Sequence, residues 1–392
     1  MWKPIILASA LTMTAGTAAT SNNPPPPVSD IALPMHVGGR VFKVPDEYTN
    51  DAIYSFQWPA IYFESRFTGD EVTLKFVDAA NNFNVIVDGR QLMVLNKTGL
   101  TNIMLDRLGA GEHTVRVEKR SETQYAQGLF RGFYITNNAD AQKRILSAPM
   151  RSRQIEFIGD SLTVGYGNTS AFSQCTPEDI FETTDSQQGF GPLTAKHFDA
   201  DYEIDAFSGL GMVRNYDGRE HPKYHMPMLY KRVLYDVVEG NVPYRAPGIY
   251  LSGDSNKPPS GPDWHPQVIV IGIGGNDFST PVRPDEPWGN EANLRADYVK
   301  IYTAFVKTIR ARNPDAFIIL ATPPGREEGY TGGTDDVFTA IKATGDTKID
   351  RVTLPELDKI GCNGHPSTRA DAKVADFYIR YLTDHPQVWQ GK

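Results

Sequence analysis

The feature that most restricts the fold is a change of hydrophobic period near residue 150. Before it, short β-branched and aromatic runs alternate with turn signals: Ala52 to Phe56, Ala60 to Phe67, Val72 to Phe76, Phe83 to Val87, His113 to Glu118 and Gly128 to Ile135. Asp88-Gly89 and Gly109-Ala110-Gly111 fall between runs as turn sequences. This spacing predicts an antiparallel β-sandwich (jelly roll) over residues 34–146. Beyond it, strand-length apolar runs at Ile155 to Ile158, Val268 to Ile273 and Ala316 to Ala321 alternate with helical patterns. Ile301, Ala304, Phe305 and Ile309 share one helical face, and Ala370, Val374, Phe377, Tyr378 and Tyr381 repeat the spacing near the C-terminus. Residues 150–392 are therefore expected to form an α/β domain, a parallel sheet flanked by helices that carries ligands at the C-terminal ends of its strands. Asp217 to Pro262, rich in proline and aromatics, fits neither pattern and reads as loops over the sheet edge.

The first residues read as a secretory signal peptide over residues 1–19: Lys3, an apolar stretch from Ile5 to Met13, then small residues from Ala15 to Ala19. A proline-rich linker follows over residues 20–33, with Pro24 to Pro27 in succession. Export to the periplasm or the medium is the expectation, and an oxidising compartment makes Cys175 and Cys362 candidates for one disulfide, with two buried free thiols as the alternative. No later apolar stretch has the length to span a bilayer, so stable membrane insertion is not expected. A formal charge of −8 without any basic run argues against nucleic acid and points to a neutral partner. Oligomeric state is not legible from the sequence.

The sharpest chemical signal is Gly159-Asp160-Ser161-Leu162, where a strand runs into a tight turn and Ser161 stands at the start of a helix. Such a turn exposes the hydroxyl beside free backbone N–H groups, although Asp160-Ser161 also reads as an ordinary helix cap. After the next buried strand, Gly274-Gly275-Asn276-Asp277 offers an amide at the same sheet edge, either an oxyanion donor or an Asx-turn. Gly209, in Ser208-Gly209-Leu210-Gly211, follows another strand-like run and permits close backbone approach to a ligand. A serine nucleophile needs a base. His365 precedes the last helix, whereas His265 lies before the strand that leads to Asn276 and hence at the opposite edge. His221 and His225 have a metal-ligand spacing, but Pro222 and Pro227 oppose a helix there, and no metal site is expected.

Gly159-Asp160-Ser161-Leu162, Ser208-Gly209, Gly274-Gly275-Asn276-Asp277 and His365-Pro366 resemble, in order, the four blocks of the SGNH (GDSL) hydrolase superfamily. The N-terminal β region, Gly165-Tyr166-Gly167, Cys175 and Gly361-Cys362 make the resemblance closer to carbohydrate esterase family 2, two-domain secreted acetylxylan esterases. The resemblance implies a flavodoxin-like sheet behind a jelly roll, with Ser161 as nucleophile and His365 as general base. It implies an oxyanion hole of the Ser161 and Gly209 N–H groups plus the Asn276 side chain. No cofactor is implied. The substrate would be an acetylated polysaccharide or oligosaccharide, with Trp264, Phe278 and Trp288 as sugar-facing aromatics or core residues. A lipid esterase or lysophospholipase of the same superfamily, or a catalytically weak carbohydrate-binding protein, are the competing readings.

The chain departs from the superfamily pattern where an acid usually precedes the histidine by two or three residues: Cys362 and Asn363 stand there. The expectation is a Ser-His dyad whose imidazole is held by a backbone carbonyl or a side-chain amide, with Asn363 as the candidate orienter. A bridge between Cys175 and Cys362 would tie two active-site loops together.

Overall fold

The computed structural model describes residues 30–45, 52–219, 224–234, 264–325 and 328–390. The expected signal peptide and most of the linker lie outside these residues, as does most of the stretch from Asp217 to Pro262.

Two antiparallel sheets build the N-terminal part. One runs in the order Val41–Pro45, Ala52–Phe56, Gly128–Ile135, Val72–Asp78, Gly99–Leu105, with Ile31–Ala32 also paired to Gly128–Ile135. The other runs Met35–Gly38, Tyr62–Thr68, Glu112–Lys119, Asn82–Val87, Arg90–Asn96. Alternation along each strand turns one aromatic row inward from each sheet. Phe63 of one sheet meets Phe130 of the other with ring centroids 4.8 Å apart, and Phe76 meets Phe83 at 5.4 Å. Two strands that the sequence pattern does not predict, Arg90–Asn96 and Gly99–Leu105, are the edge strands at one side of the sandwich and largely exposed. An edge strand buries only part of one face, so its hydrophobic alternation is weak.

The second part holds five parallel strands: β1 (Arg153–Gly159), β2 (Ala200–Ala206), β3 (Val268–Gly272), β4 (Phe317–Thr322) and β5 (Ile349–Thr353). Their order is β2-β1-β3-β4-β5. The helices are α1 (Ser161–Val164), α2 (Pro177–Thr183), α3 (Phe190–His197), α4 (Glu291–Arg312), α5 (Glu328–Lys342) and α6 (Thr368–Asp384). Successive strand residues face opposite layers: Val268 and Val270 pack towards α3 and α6, Ile269 and Ile271 towards α4 and α5. This is the flavodoxin-like order, in which the chain switches direction between β1 and β3 and leaves a crevice at their carboxyl ends.

One edge of that sheet, β2, is covered by the sandwich. Every residue of β2 is buried, including Asp201, Tyr202, Glu203 and Asp205. Buried polar groups need partners. Tyr62 donates to Asp201 at 2.5 Å, Arg116 donates to the Tyr202 hydroxyl at 2.7 Å, and Thr123 donates to the Ala206 carbonyl at 2.9 Å. Arg40 is the deepest of these links. Its guanidinium, almost wholly buried, meets Glu203 at 2.9 Å, Asp205 at 2.6 Å and Glu156 of β1 at 3.2 Å, and donates to the Tyr230 carbonyl at 2.5 Å. Three acids share one cation, so burial pushes Glu203 up to about 7 and Asp205 well above the ordinary carboxylate range. Replacing Arg40 by methionine should cost about 3 kcal/mol of stability at pH 8 and less at pH 5, where the stranded carboxyls take up protons. Denaturant titration at both pH values checks this; a loss below about 1 kcal/mol at pH 8 would contradict the role given to Arg40.

Candidate active site

The crevice at the carboxyl ends of β1 and β3 gathers residues from four loops. β1 ends at Gly159, and Asp160 caps α1 by accepting from the Leu162 N–H at 3.1 Å. That places Ser161 at the first helical position, half-buried, with its backbone N–H making no hydrogen bond among the described residues. Gly165 ends the single turn in a left-handed conformation and turns the chain back across the site.

His365 arrives from the loop before α6. Its Nε2 lies 2.8 Å from Ser161 Oγ, and its Nδ1 lies 3.0 Å from the Cys362 carbonyl oxygen. A carbonyl only accepts, so Nδ1 carries the proton and the bare Nε2 accepts from the serine hydroxyl. The arrangement can therefore take a proton from Ser161 as its oxygen attacks an electrophile.

The Asn363 side chain is not the orienter. Its backbone adopts a left-handed conformation with φ of 53°, which swings the amide away to donate to the Tyr166 hydroxyl at 3.0 Å. Tyr166 in turn packs its ring against the imidazole, with centroids 4.4 Å apart. The Asn363 amide thus reaches the imidazole through Tyr166. Tyr166 was legible in the sequence merely as part of a glycine-flanked motif; its contact with His365, nearly two hundred residues away, is tertiary.

The disulfide between Cys175 and Cys362 is present, with Cα atoms 5.4 Å apart. Cys362 also donates its N–H to the Gly167 carbonyl at 3.3 Å. Gly167 sits at φ of 55°, and a Cβ there would lie 2.3 Å from the Cys362 Cβ, so only glycine lets the two loops close. At the far side of the histidine loop, Asp358 accepts from the Ser367 N–H and hydroxyl at 2.8 and 2.6 Å.

Gly209 lies after β2 at φ of 85°, and its carbonyl accepts from the Tyr216 N–H at 2.9 Å while its own N–H is unengaged among the described residues. The Asn276 amide contradicts the expectation of a third free donor. One of its hydrogens goes to Asp160 at 3.2 Å and the other to the Leu210 carbonyl at 2.7 Å. Both neighbours are acceptors, so the amide cannot be turned round, and in this arrangement Asn276 ties the Ser161 turn to the Gly209 loop. The adjacent Asp277, fully buried, accepts from the N–H groups of Met212, Val213 and Arg214 at 2.7 to 2.9 Å. Burial pushes its carboxyl up to about 6, against the pull of those three donors.

Of the two readings of the aromatics, position favours packing over sugar contact. Trp264 precedes β3 and donates to Glu156 at 3.4 Å, towards the opposite end of the sheet, where His265 also lies against Gln154. Phe278 packs its ring on Tyr298 at 5.2 Å, and Trp288 donates to Asp297 at 3.1 Å. None of the three lines the groove beside Ser161. That groove, of about 410 Å³, is bounded by Leu162, Pro323 to Gly325, Glu356 to Lys359, Gly364 and Pro366, among them the sequence neighbours of Ser161 and His365 and not those two residues themselves.

Two family models divide the chain much as its folds do: "Carbohydrate esterase 2 N-terminal" over residues 37–149 and "GDSL-like Lipase/Acylhydrolase family" over residues 157–344. An acetylxylan esterase / glucomannan deacetylase of Cellvibrio japonicus (strain Ueda107) is 41% identical over 384 residues, 98% of each chain. The chain belongs to carbohydrate esterase family 2. It is a carboxylic ester hydrolase by that membership. Among solved family structures, a carbohydrate esterase whose active site is described as displaying divergent catalytic and non-catalytic binding functions matches with a TM-score of 0.80. Identity there is 40%, covering 92% of this chain and 100% of that one. A family two carbohydrate esterase from Clostridium thermocellum in complex with cellohexaose matches with a TM-score of 0.70 at 26% identity, covering 90% and 99%.

Because the same residue supplies both a disulfide sulfur and the carbonyl that holds the imidazole, removing the bridge should reach catalysis as well as stability. The Cys175→Ser/Cys362→Ser double variant is expected to lose roughly 2–4 kcal/mol. Denaturation and ester hydrolysis, measured with and without reductant, test this: wild type in reductant should approach the variant, and equal stability of the two oxidised proteins would contradict it.

Proposed function

We propose that this family 2 esterase is an exported enzyme that removes O-acetyl groups from polysaccharide, with Ser161 as nucleophile and His365 as general base. The observation that carries this is the 2.8 Å contact between Ser161 Oγ and an imidazole whose other nitrogen is fixed on the Cys362 carbonyl. Ser161 attacks the acetyl carbonyl while Nε2 takes its proton. The tetrahedral oxyanion is met by the N–H groups of Ser161 and Gly209, and Asn276 holds those two loops in register. Collapse expels the sugar alkoxide, which leaves with the proton from the imidazolium. Water then repeats the sequence on the acetyl-serine, releasing acetate and restoring the serine hydroxyl.

A carbonyl orients the ring and fixes its tautomer as a carboxylate would, but it presents a dipole to the imidazolium in place of a full charge. A sugar hydroxyl is a much better leaving group than an amine, so ester cleavage asks less of that base. Glycan as substrate is supported by Glu356 and Lys359, which offer hydrogen-bonding groups among Leu162, Leu357, prolines and glycines in the groove next to the Ser161 turn. An acyl chain would need an apolar wall in their place. The acetylated xylan or glucomannan named for the Cellvibrio japonicus relative is the substrate class we assign to this chain.

Ser161→Ala and His365→Ala should each remove at least about a thousandfold of the turnover of 4-nitrophenyl acetate while leaving the fold intact. Asn363→Ala, which removes an amide that reaches the imidazole through Tyr166, should reduce turnover moderately. Wild type should prefer the acetate to the octanoate ester and release acetate from acetylated xylan or glucomannan. Preference for octanoate would favour a lipid substrate, activity of Ser161→Ala would remove the mechanism, and binding of glycan without any hydrolysis would make the chain a binding protein.

A further inference from the structure

The loop 120–127 of the sandwich is unlike an ordinary connection. It joins a strand of one sheet, Glu112–Lys119, to a strand of the other, Gly128–Ile135, yet Ser121, Glu122 and Thr123 are all wholly buried. Loops normally run over the surface because their polar groups are hard to satisfy inside. This one is driven into the carboxyl end of the second domain. Thr123 donates to the carbonyl of Ala206, the last residue of β2, and the Tyr125 ring packs edge-on to Phe181 of α2 at 4.7 Å.

Between these two anchors stands the Glu122 carboxyl. It faces the N–H and hydroxyl of Ser208 and the side chain of Gln124, and neither of its oxygens, nor the Ser208 hydroxyl, has a hydrogen bond of normal geometry. Lys119 is turned away from the carboxyl: its ammonium donates to the backbone carbonyls of Ser121 and Glu122 at 2.6 and 2.8 Å. A buried acid with no closed partner is costly, and an apolar residue of similar size would be cheaper for the fold. Its neighbour supplies a reason to keep it. Ser208 precedes Gly209, whose carbonyl is held by Tyr216, while the next carbonyl, Leu210, is held by Asn276. With the Glu122 carboxyl standing beside Ser208 on one side and Tyr216 on the Gly209 carbonyl on the other, the peptide unit that carries the Gly209 N–H is bracketed.

We propose that Glu122 is a positioning residue for the esterase site: lent by the N-terminal sandwich, its buried carboxyl group stands against Ser208 and thereby helps aim the Gly209 N–H at the reacting acyl oxygen. This rests on Ser161 being the nucleophile and Gly209 an oxyanion donor. Its consequence is that the sandwich is part of the catalytic apparatus and not only a neighbour of it. The carboxyl is pushed by burial up to about 7, and the titratable groups near it are Lys119, also brought to about 7 by burial although its ammonium points to backbone carbonyls, and the phenols of Tyr125 and Tyr166.

The test uses the whole chain and two substitutions. Glu122→Leu keeps bulk and removes the acceptor; Glu122→Gln keeps an acceptor and removes the charge. Turnover of 4-nitrophenyl acetate is expressed per serine titrated to completion with a fluorophosphonate, so that unfolded protein does not count. Glu122→Leu is expected to lose about tenfold or more in kcat with KM within about twofold, the pattern of a weakened oxyanion donor, and Glu122→Gln to stay within about threefold of wild type. Should the leucine variant not fold, Glu122→Met replaces it with a more adaptable apolar chain. A kcat within about twofold of wild type in the apolar variant, or equal losses in both substitutions, overturns the proposal. Either result leaves the Ser161 reading standing as long as Ser161→Ala is inactive; an active Ser161→Ala would remove that reading itself.

Discussion

Burying an edge strand made of charged residues is the constraint on which this architecture turns. β2 carries Asp201, Glu203 and Asp205 within seven residues, and the sandwich covers all of them. An exposed parallel edge would be a template for unwanted pairing, and a covered one full of carboxylates needs cations and donors delivered from outside the sheet. Arg40, Arg116, Tyr62 and His36 make that delivery, all from the N-terminal part. The two domains thus share one polar interface and a continuous apolar core, in which Tyr62 packs among the residues of β1 and α3. A break at Arg40 would leave three acids without their cation. The proton affinities of Glu203 and Asp205 already stand high, so that cluster is firmer in mild acid than in alkali.

The crevice at the switch point depends on the same covering. β2 leads directly into Ser208 and Gly209, and the element that pins its end is Thr123 of the sandwich loop. The position of the loop that carries the proposed oxyanion donor is therefore set in part from outside the α/β domain, alongside Asn276 and Asp277 within it. On the opposite flank, the imidazole is held by a chain of local devices: a disulfide, a glycine that lets two loops meet, a left-handed asparagine and a tyrosine face. Each contributes modestly, and together they stand where related hydrolases place a carboxylate two or three residues before the histidine. What they supply is orientation and tautomer. The Cys362 carbonyl dipole stabilises an imidazolium less than a full negative charge at that nitrogen would.

Much of this was written in local pattern. The turn at Gly159-Asp160-Ser161, the buried β1 and apolar β3 cores, and the amphipathic α4 and α6 are properties of a few adjacent residues, because burial on both faces of a strand or one face of a helix leaves a periodic signature. Elements without that signature escaped: β5 (Ile-Asp-Arg-Val-Thr) alternates charge with apolar residues, and the sandwich edge strands bury too little to show a face. The site residues divide along the same line. Ser161, Gly209 and His365 sit in recognisable local motifs, whereas the partners of Asn363 and Asn276 are fixed by a backbone twist and by loops from distant segments.

Sequence by itself determined the two-part architecture and the sheet edge where Ser161 and His365 meet, since period and turn chemistry are local and survive without knowledge of the fold. Only the tertiary structure decided which atom holds the imidazole, that the Asn276 amide is already spent on Asp160 and Leu210, and that Thr123 of the sandwich donates to the end of β2. Those outcomes depend on hydrogen-bond directions between groups tens to hundreds of residues apart, and a direction in space has no trace in a string of residues.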